Sequence, residues 1–244
     1  MRRAGGGVVA LPDARPTADK DAALVQAMFD RVAPRYDLAN SLFSLGQDRH
    51  WRRVAAKAAD PRPGEVVLDV AAGTGALSLD LRAAGARVVP LDFSWSMLAT
   101  GAAREGERRL LWTNGDGARL PFADAGFDAV TIAFGLRNLP DTAAGLREFA
   151  RVTRPGGRLV VLEFSSPTWA PLREVYRRYL LGAVPRAARL FTSDPSAYRY
   201  LAESIQAWPG LPALARAITA AGWSDVRWTN LTGGIVAVHH AVRS

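Results

Sequence analysis

The 244-residue chain is 49% hydrophobic and carries 31 lysines and arginines against 23 aspartates and glutamates, a formal net charge of +8. This composition is typical of a globular protein with a substantial core and excludes an intrinsically disordered chain. The sequence has no apolar run near the 18 residues of a membrane-spanning helix and no cysteine for a disulfide or a thiolate metal site. These features predict a cytoplasmic protein.

The positive charge is nearly all arginine, since the only lysines are Lys20 and Lys57. No block of five or more basic residues occurs, so the charge predicts an ordinary solvated surface and no nucleic-acid partner. Attraction to an anionic membrane surface is the alternative that the charge leaves open.

The first part of the chain divides into a tail and a helical segment. Residues 1–20 are predicted to be a flexible tail, because their only apolar stretch, 8–11, is too short for a signal peptide. Residues 21–244 are predicted to form a single domain. Its first part, 21–59, has an amphipathic helical pattern broken at Pro34, and we expect it to form a helical cap.

The middle of the chain alternates short apolar runs with helical stretches. The predicted strands are 65–71, 86–92, 109–114, 127–133 and 158–164. The predicted helices are 77–84, 96–105 and 142–152. Alternation of this kind predicts a parallel sheet with helices on both faces.

The last third adds an insertion and two more strands. Segment 166–208 is predicted to be a helical insertion, with helices at 172–181 and 196–207, that shapes a substrate pocket. Strands are predicted at 225–230 and 234–242, too close in sequence to be parallel neighbours. The chain therefore predicts a Rossmann-like α/β fold, a seven-stranded, mostly parallel sheet whose last strand is antiparallel.

The segment VLDVAAGTG, residues 67–75, places a turn of small residues between a buried strand and a helix. Gly73 and Gly75 allow the backbone to approach a ligand closely, and the amides of the helix that begins near Ala76 point into the same crevice. Ala71 stands in place of the usual first glycine. Taken alone, this turn also fits a nicotinamide dinucleotide enzyme.

Three acidic residues at successive strand ends favour a methyl donor over a dinucleotide. Asp69 precedes the glycines, where it can reach the cationic methionine end of S-adenosylmethionine and would repel a pyrophosphate. Asp92 closes the second strand, where a carboxylate accepts both ribose hydroxyls, and Asp116-Gly117 follows the third, within reach of the adenine amino group. Thr74 is predicted to lie next to the methionine carboxylate. Each residue singly also fits a turn or a helix cap.

Five further segments match the signatures of one family, in the right order. They are 36–51 (YDLANS to HW), 134–138 (FGLRN), 151–165 (RVTRPGG to EFS), 196–204 (SAYRYLAES) and 233–239 (GGIVAVH). With them the chain resembles the quinone-biosynthesis C-methyltransferases over nearly everything after Met28. The resemblance implies a class I methyltransferase fold and transfer of a methyl group from S-adenosylmethionine to a ring carbon of demethylmenaquinol, in menaquinone biosynthesis.

Three alternatives stay open beside this interpretation. The same family serves the ubiquinone pathway, so a ubiquinol precursor is a second candidate acceptor. Another small-molecule C-methyltransferase would keep the three aspartates but should lack segments 36–51 and 134–138. An NAD(P)-dependent oxidoreductase is the alternative from a different class.

The implied reaction needs a group that takes the proton of the quinol oxygen and one that holds the resulting anion. Arg137, just past the fourth strand, is predicted to hold that oxyanion or to position a water, with a buried ion pair as the alternative. Tyr36 and Asp37 are predicted to contact the ring hydroxyls, unless they cap a helix. The imidazole of His50 is a candidate for proton transfer, although a structural role fits it equally. The histidines lack a ligand spacing, so no metal is predicted.

The insertion is predicted to bind the remainder of a prenylated quinol. Tyr198 and Tyr200 are expected to form an aromatic wall for the ring, unless they only pack in the core. Residues 169–185 (WAPLREVYRRYLLGAVP) mix apolar, aromatic and basic side chains in a pattern that suits an interface helix. We expect this segment to border the entry path of the prenyl tail and to touch the inner face of the plasma membrane transiently, an ordinary lid helix being the alternative. The sequence leaves a homodimer open.

Overall fold

The computed structural model describes residues 22–33, 36–104, 110–184, 186 and 195–244, so the predicted tail, 1–20, lies outside it. The helices are α1 (Ala22–Val32), α2 (Tyr36–Phe43), α3 (Gln47–Ala59), α4 (Ala76–Ala83), α5 (Trp95–Arg104), α6 (Thr142–Val152), α7 (Ala170–Arg178), α8 (Pro195–Ala207) and α9 (Leu211–Ala220). The strands are β1 (Val66–Val70), β2 (Arg87–Asp92), β3 (Thr113–Asn114), β4 (Phe127–Ala133), β5 (Thr153–Phe164), β6 (Trp223–Leu231) and β7 (Val236–Arg243). Short 3-10 turns cover Leu136–Asn138 and Thr232–Gly234, and a π-helical turn, Tyr179–Ala183, continues α7.

The described strands form one seven-stranded sheet in the order β3-β2-β1-β4-β5-β7-β6. Strands β1 to β5 run parallel to one another, and β7 runs antiparallel to both β5 and β6. The predicted fold class is therefore confirmed. Because the strand order reverses between β1 and β4, the connections leave a crevice at the carboxyl ends of these two strands.

The two faces of the sheet bury alternate residues of the central strands against different helices. On one face Leu68 packs in a cluster with Phe149 of α6 and Ile218 of α9. On the other face Val67 belongs to a cluster with Leu81 of α4 and Trp51 of α3. Strands covered on both sides need an apolar residue at nearly every position, which explains the continuous hydrophobic runs in the sequence.

Helices α1 and α2 lie at the sheet's carboxyl edge and are called the cap below, whereas α3, which the prediction included in the cap, packs on a face of the sheet. Met28 of α1 packs in a buried cluster with Met97 of α5 and Tyr198 of α8. The hydroxyl of Ser94, just after β2, also donates to a carboxylate oxygen of Asp30 in α1 (2.5 Å). The cap is thus fastened to the end of β2, while the break predicted at Pro34 falls outside the described residues.

Three elements differ from the predictions. β3 is confined to Thr113–Asn114, and the indole of Trp112 lies instead beside the backbone of Gly75. β5 begins at Thr153, before the predicted start. Helix α9 was not predicted, although Gly210 before it and a proline in its first turn are ordinary start signals. Among the described residues, no helix is both long and apolar enough to cross a membrane.

Candidate active site

The loop after β1 is tied to the end of β2 by a backbone hydrogen bond. The amide of Gly73 donates to a carboxylate oxygen of Asp92 at 2.8 Å. Gly73 has a φ of +58°, and a Cβ built on it would meet no protein atom within 4 Å. A Cβ on Gly75 (φ +79°) would lie 2.3 Å from the ring of Trp112. The open space expected for a ligand therefore lies at Gly73, whereas Gly75 is required by protein packing.

A cavity of about 140 Å³ lies at the carboxyl ends of β1 and β2. Gly73, Asp92, Asp116 and Gly117 all line it, as the sequence predicted for a donor site. Burial, together with the smaller effect of the nearby Asp30 carboxylate, raises the pKa of Asp92 to about 6. Helix α1 closes one side of this cavity through Val25, Gln26 and Phe29. The cap and the sheet edge thus form the cavity together.

Asp69 lies at the end of β1, as the sequence predicted, but its side chain faces inward. The side chain is 1% exposed and accepts hydrogen bonds from Ser78 (2.5 Å) and Thr131 (2.8 Å) beneath the loop. It is not among the residues that line the described cavities. Burial raises its pKa to about 6. Asp69 therefore fixes the floor of the loop through Ser78 and Thr131. Its predicted reach to the methionine end, directly or through water, stays a prediction.

Thr74 and Asp37 bind each other. The Thr74 hydroxyl lies 2.8 and 2.9 Å from the two carboxylate oxygens of Asp37, and Arg104 of α5 donates to the same carboxylate at 2.5 Å. Thr74 at the methionine carboxylate and Asp37 at the ring hydroxyls stay predictions, with the contact between the two side chains as the arrangement that the structure shows. The observed contacts join α2 of the cap to the loop and to α5.

A second, larger cavity of about 350 Å³ lies under the cap and the insertion. Its walls are mainly aromatic and aliphatic. The aromatic residues that line it are Phe29, Phe43, Trp51, Phe134, Phe164, Tyr176, Tyr179, Tyr198 and Tyr200. Tyr198 and Tyr200 therefore contribute to an aromatic wall, as predicted, and both are buried. A cavity of this size and lining suits a large apolar ligand with an aromatic ring.

The two cavities meet at two phenylalanines. Phe29 of α1 and Phe134, directly after β4, line both of them. Phe134 has a φ of +58°, rare for a residue with a side chain, and its ring lies 4.8 Å (centroid to centroid) from that of Phe164. A ligand in the smaller cavity and a ring in the larger one would therefore face each other across Phe29 and Phe134.

Arg137 lines the larger cavity and is 4% exposed. Its Nη1 donates to Glu163 (2.9 Å) and to the carbonyl oxygen of Phe134, and its Nε donates to Ser204 (3.3 Å). The buried ion pair left open by the sequence is thus present. Within the described part of the chain no protein acceptor contacts Nη2, which leaves those two donors for a ligand oxygen. Glu163 was missed as a partner, although a glutamate inside the apolar run RLVVLEF is a signal for a buried ion pair.

The remaining predicted catalytic residues receive less support. Tyr36 is the first residue of α2, but its side chain lies outside the described set. His50 lies on α3 with an exposed side chain and lines neither of the two described cavities. Its proton-transfer role stays a prediction without a structural partner.

The smaller cavity has the chemistry that S-adenosylmethionine requires. The Asp92 carboxylate has about four lone-pair sites and accepts from the amides of Gly73 and Ser94, which leaves capacity for ribose hydroxyls. Asp116 is exposed in the cavity wall, and the open space at Gly73 admits the donor beside the loop. These residues fit the donor: Asp92 would accept from its ribose hydroxyls, and Asp116 would lie near its adenine.

The sheet order and the carboxylate-lined cavity define a class I S-adenosylmethionine-dependent methyltransferase. Solved structures with this fold include a methyltransferase of Thermotoga maritima (TM-score 0.64, 15% identity, 90% of this chain and 99% of that one). Another is phosphoethanolamine N-methyltransferase 2 of Haemonchus contortus in complex with S-adenosylmethionine (TM-score 0.59, 15% identity, 79% of this chain and 52% of that one). At these identities the likeness concerns the fold.

The sequence profile of the ubiE/COQ5 methyltransferase family matches residues 17–243, and the chain belongs to this family. A Streptomyces avermitilis protein named demethylmenaquinone methyltransferase is 56% identical over 230 residues, 94% of this chain and 99% of the relative. A Mycolicibacterium paratuberculosis protein of the same name is 58% identical over 229 residues, 94% of this chain and 98% of the relative. The family expected from the five signatures is confirmed.

Proposed function

We propose that the protein transfers a methyl group from S-adenosylmethionine to a ring carbon of demethylmenaquinol, giving menaquinol. The observation that carries this proposal is the meeting of the two cavities at Phe29 and Phe134. One cavity has carboxylates for a polar donor, and the other has aromatic walls for a ring with an apolar tail. The names of the relatives that are 56% and 58% identical support the same acceptor.

The side chains of the larger cavity supply what carbon methylation requires. S-adenosylmethionine supplies an electrophilic methyl group, and a quinol ring becomes nucleophilic at carbon when one of its oxygens loses a proton. The free Nη2 donors of Arg137 stabilise that oxygen anion, and Glu163 holds the guanidinium in place. The aromatic walls exclude water, which strengthens this electrostatic interaction.

Turnover under reducing conditions tests the proposal. The purified protein is incubated anaerobically with S-adenosylmethionine and demethylmenaquinol, and the methylated ring is detected by mass spectrometry. We expect menaquinol and a stoichiometric amount of S-adenosylhomocysteine. Turnover of a demethylated ubiquinol precursor in preference to demethylmenaquinol would assign the other quinone pathway. Thermal stabilisation by NAD or NADP, but not by S-adenosylhomocysteine, would favour an oxidoreductase.

We also propose that the rim of the larger cavity touches an anionic membrane surface. Leu45, after α2, and Val175 of α7 line the cavity although they are 82% and 63% exposed, and Trp169 before α7 is 67% exposed. Arg177 and Arg178 follow on the same helix. Exposed apolar side chains beside arginines suit an interface between lipid headgroups and acyl chains, where a prenyl tail would enter.

Vesicle binding tests this second proposal. The wild type is expected to sediment with vesicles that contain phosphatidylglycerol, more weakly as salt is added, and not with phosphatidylcholine vesicles alone. The variant Trp169→Ser/Val175→Ser should lose binding. Trp228→Ser, which removes an exposed tryptophan from β6, is the matched control and should retain it. Equal vesicle binding by both variants would contradict the proposal that the rim of the larger cavity contacts the membrane.

A further inference from the structure

Tyr176 of α7 has a buried hydroxyl without a hydrogen-bond partner. Among the described residues, only two buried side-chain polar atoms lack one, the Tyr176 hydroxyl and Nδ1 of His239. His239 lies on β7, outside the linings of the two cavities, whereas Tyr176 lines the larger one. A buried polar atom that no protein group satisfies costs free energy, so such an atom in a cavity wall points to a ligand that supplies the partner.

The neighbouring tyrosines of the cavity are engaged by the protein itself. The hydroxyl of Tyr179 donates to the carbonyl oxygen of Phe43 at 2.7 Å. The hydroxyl of Tyr200 donates to the side-chain oxygen of Asn138 at 3.2 Å. These hydroxyls hold the wall together, which makes the free hydroxyl of Tyr176 a distinct feature of the same cavity.

Tyr176 lies near the part of the cavity where the ring would bind. Tyr176 and Phe164 pack against the same buried cluster, and the ring of Phe164 contacts that of Phe134 at the junction of the two cavities. The guanidinium carbon of Arg137 lies 5.2 Å from the centroid of Phe164. Arg137 and the cavity junction therefore lie at the Phe164 ring, and Tyr176 lines the same cavity beside the cluster against which that ring packs.

The surroundings make Tyr176 a donor at all physiological pH values. Burial raises the pKa of its phenol above the ordinary value of 10.0, while the nearby guanidinium of Arg137 lowers it by a smaller amount. The phenol therefore keeps its proton and can give a hydrogen bond. The group in a bound quinol that accepts best is the ring oxygen that carries the negative charge during methylation.

We infer that Tyr176 is a substrate-binding residue whose hydroxyl donates a hydrogen bond to a ring oxygen of the bound quinol. This inference rests on the proposed function. The bond strengthens as the oxygen becomes anionic, so Tyr176 and Arg137 share the stabilisation of the reactive form of the ring.

The test compares two tyrosines whose hydroxyls differ in one respect. Tyr176→Phe removes an unpartnered hydroxyl, and Tyr179→Phe removes one that bonds to Phe43. Without quinol, Tyr176→Phe should have a thermal midpoint no lower than the wild type, whereas that of Tyr179→Phe should fall. With demethylmenaquinol, kcat/KM of Tyr176→Phe should fall by about 10- to 100-fold, the value of a hydrogen bond to a charged group.

The pH profile separates a substrate contact from a packing role. Without the Tyr176 donor the bound quinol ionises less readily, so the rise of kcat with pH should move to higher pH in Tyr176→Phe. A kcat/KM equal to that of the wild type, or an unshifted profile, overturns the inference and leaves the proposed function standing. A wild type that does not methylate demethylmenaquinol overturns the proposed function and the inference with it.

Discussion

Nη1 of Arg137 lies 2.9 Å from Oε1 of Glu163, and the side chains of both residues are almost completely buried. The same carboxylate also accepts from the backbone amides of Arg137 and Phe164. The ion pair therefore joins the turn after β4 to the end of β5. It fixes the direction in which the free edge of the guanidinium faces the cavity.

Glu163→Gln should damage both stability and turnover. The variant keeps the shape of the side chain but leaves the buried guanidinium without a counter-charge, so we expect a loss of about 3 kcal/mol in the free energy of unfolding. We also expect kcat to fall at least tenfold while S-adenosylhomocysteine binds normally, because the donor cavity is unchanged. Urea unfolding, steady-state kinetics and calorimetric titration measure the three quantities.

The control for this variant is Glu174→Gln. Glu174 pairs with Arg177 and Arg178 on the exposed surface of α7, where solvent screens ion pairs so that they contribute little to stability. The free energy of unfolding of Glu174→Gln should therefore stay close to that of the wild type. Equal losses in the two variants would show that the burial of the Arg137–Glu163 pair has no special importance.

The fold was predictable because its signals are local. The apolar runs of β1, β2 and β4 alternate with amphipathic helices, and this pattern alone specifies a parallel sheet. β3 was predicted too long because Trp112 is apolar like a strand residue. Its indole instead fills the space beside Gly75, a contact between segments far apart in sequence.

The candidate site was predictable in its cavity-lining residues but not in their partners. Asp92 and Asp116 are placed by strand ends, which the sequence marks. Asp69, at an equally clear strand end, turns inward to Ser78 and Thr131. Only the three-dimensional packing decides whether such a carboxylate faces a ligand or a buried hydroxyl.

Ala71 and Gly135 form a second coupled pair, on facing loops of the donor cavity. Ala71 has a φ of +51°, and a Cβ built on Gly135 would lie 2.3 Å from the Ala71 methyl group. Gly135→Ala should therefore lower the free energy of unfolding by about 1–3 kcal/mol through overpacking. In an Ala71→Gly background the same substitution should cost much less. Chemical denaturation of the four proteins in this cycle measures the coupling.

Gly210→Ala is the matched control for that cycle. A Cβ on Gly210 would meet no atom within 4 Å, and its φ of −66° suits any residue. We expect a change in stability below about 1 kcal/mol, since only the helix N-cap preference of glycine is affected. If the change in the free energy of unfolding of the double variant equals the sum of the changes in Ala71→Gly and Gly135→Ala, the proposed contact is contradicted.

The link between Asp37 and Thr74 should tune donor affinity. Asp37→Asn removes the charge that Arg104 and the Thr74 hydroxyl share, at a carboxylate 39% exposed. A loosened cap should weaken S-adenosylhomocysteine binding by roughly fivefold, the value of about 1 kcal/mol for a part-exposed interaction. Adding Thr74→Ala to the Asp37→Asn variant should weaken S-adenosylhomocysteine binding little further, because both substitutions break the same Thr74–Asp37 contact. Calorimetric titration with S-adenosylhomocysteine measures the affinity of both variants. The control is Asp124→Asn, which breaks the exposed ion pair with Arg151 and should bind S-adenosylhomocysteine as the wild type does.

Asp69 should make stability depend on pH in the direction opposite to an ordinary ion-paired carboxylate. Burial raises its pKa in the folded protein to about 6, from an ordinary value of 3.8. Between these pH values the folded state binds more protons than the unfolded state, so the contribution of Asp69 to stability is largest below pH 4 and is lost as the pH rises through 6. Two pKa units correspond to about 3 kcal/mol.

The comparison with Asp69→Asn isolates this contribution, because asparagine is uncharged at every pH and can still bond to the hydroxyls of Ser78 and Thr131. Urea unfolding at pH 4, 5, 6 and 7 should show the wild type losing stability relative to Asp69→Asn up to pH 6 and no further loss above it. The comparison of the wild type with Glu148→Gln should show the reverse trend. The hydrogen bonds from Arg151 lower the pKa of Glu148, so its contribution to the stability of the wild type is lost as the pH falls. A wild-type advantage over Asp69→Asn that grows with pH would mean that the Asp69 carboxylate is stabilised by its hydroxyl partners more than burial disfavours it.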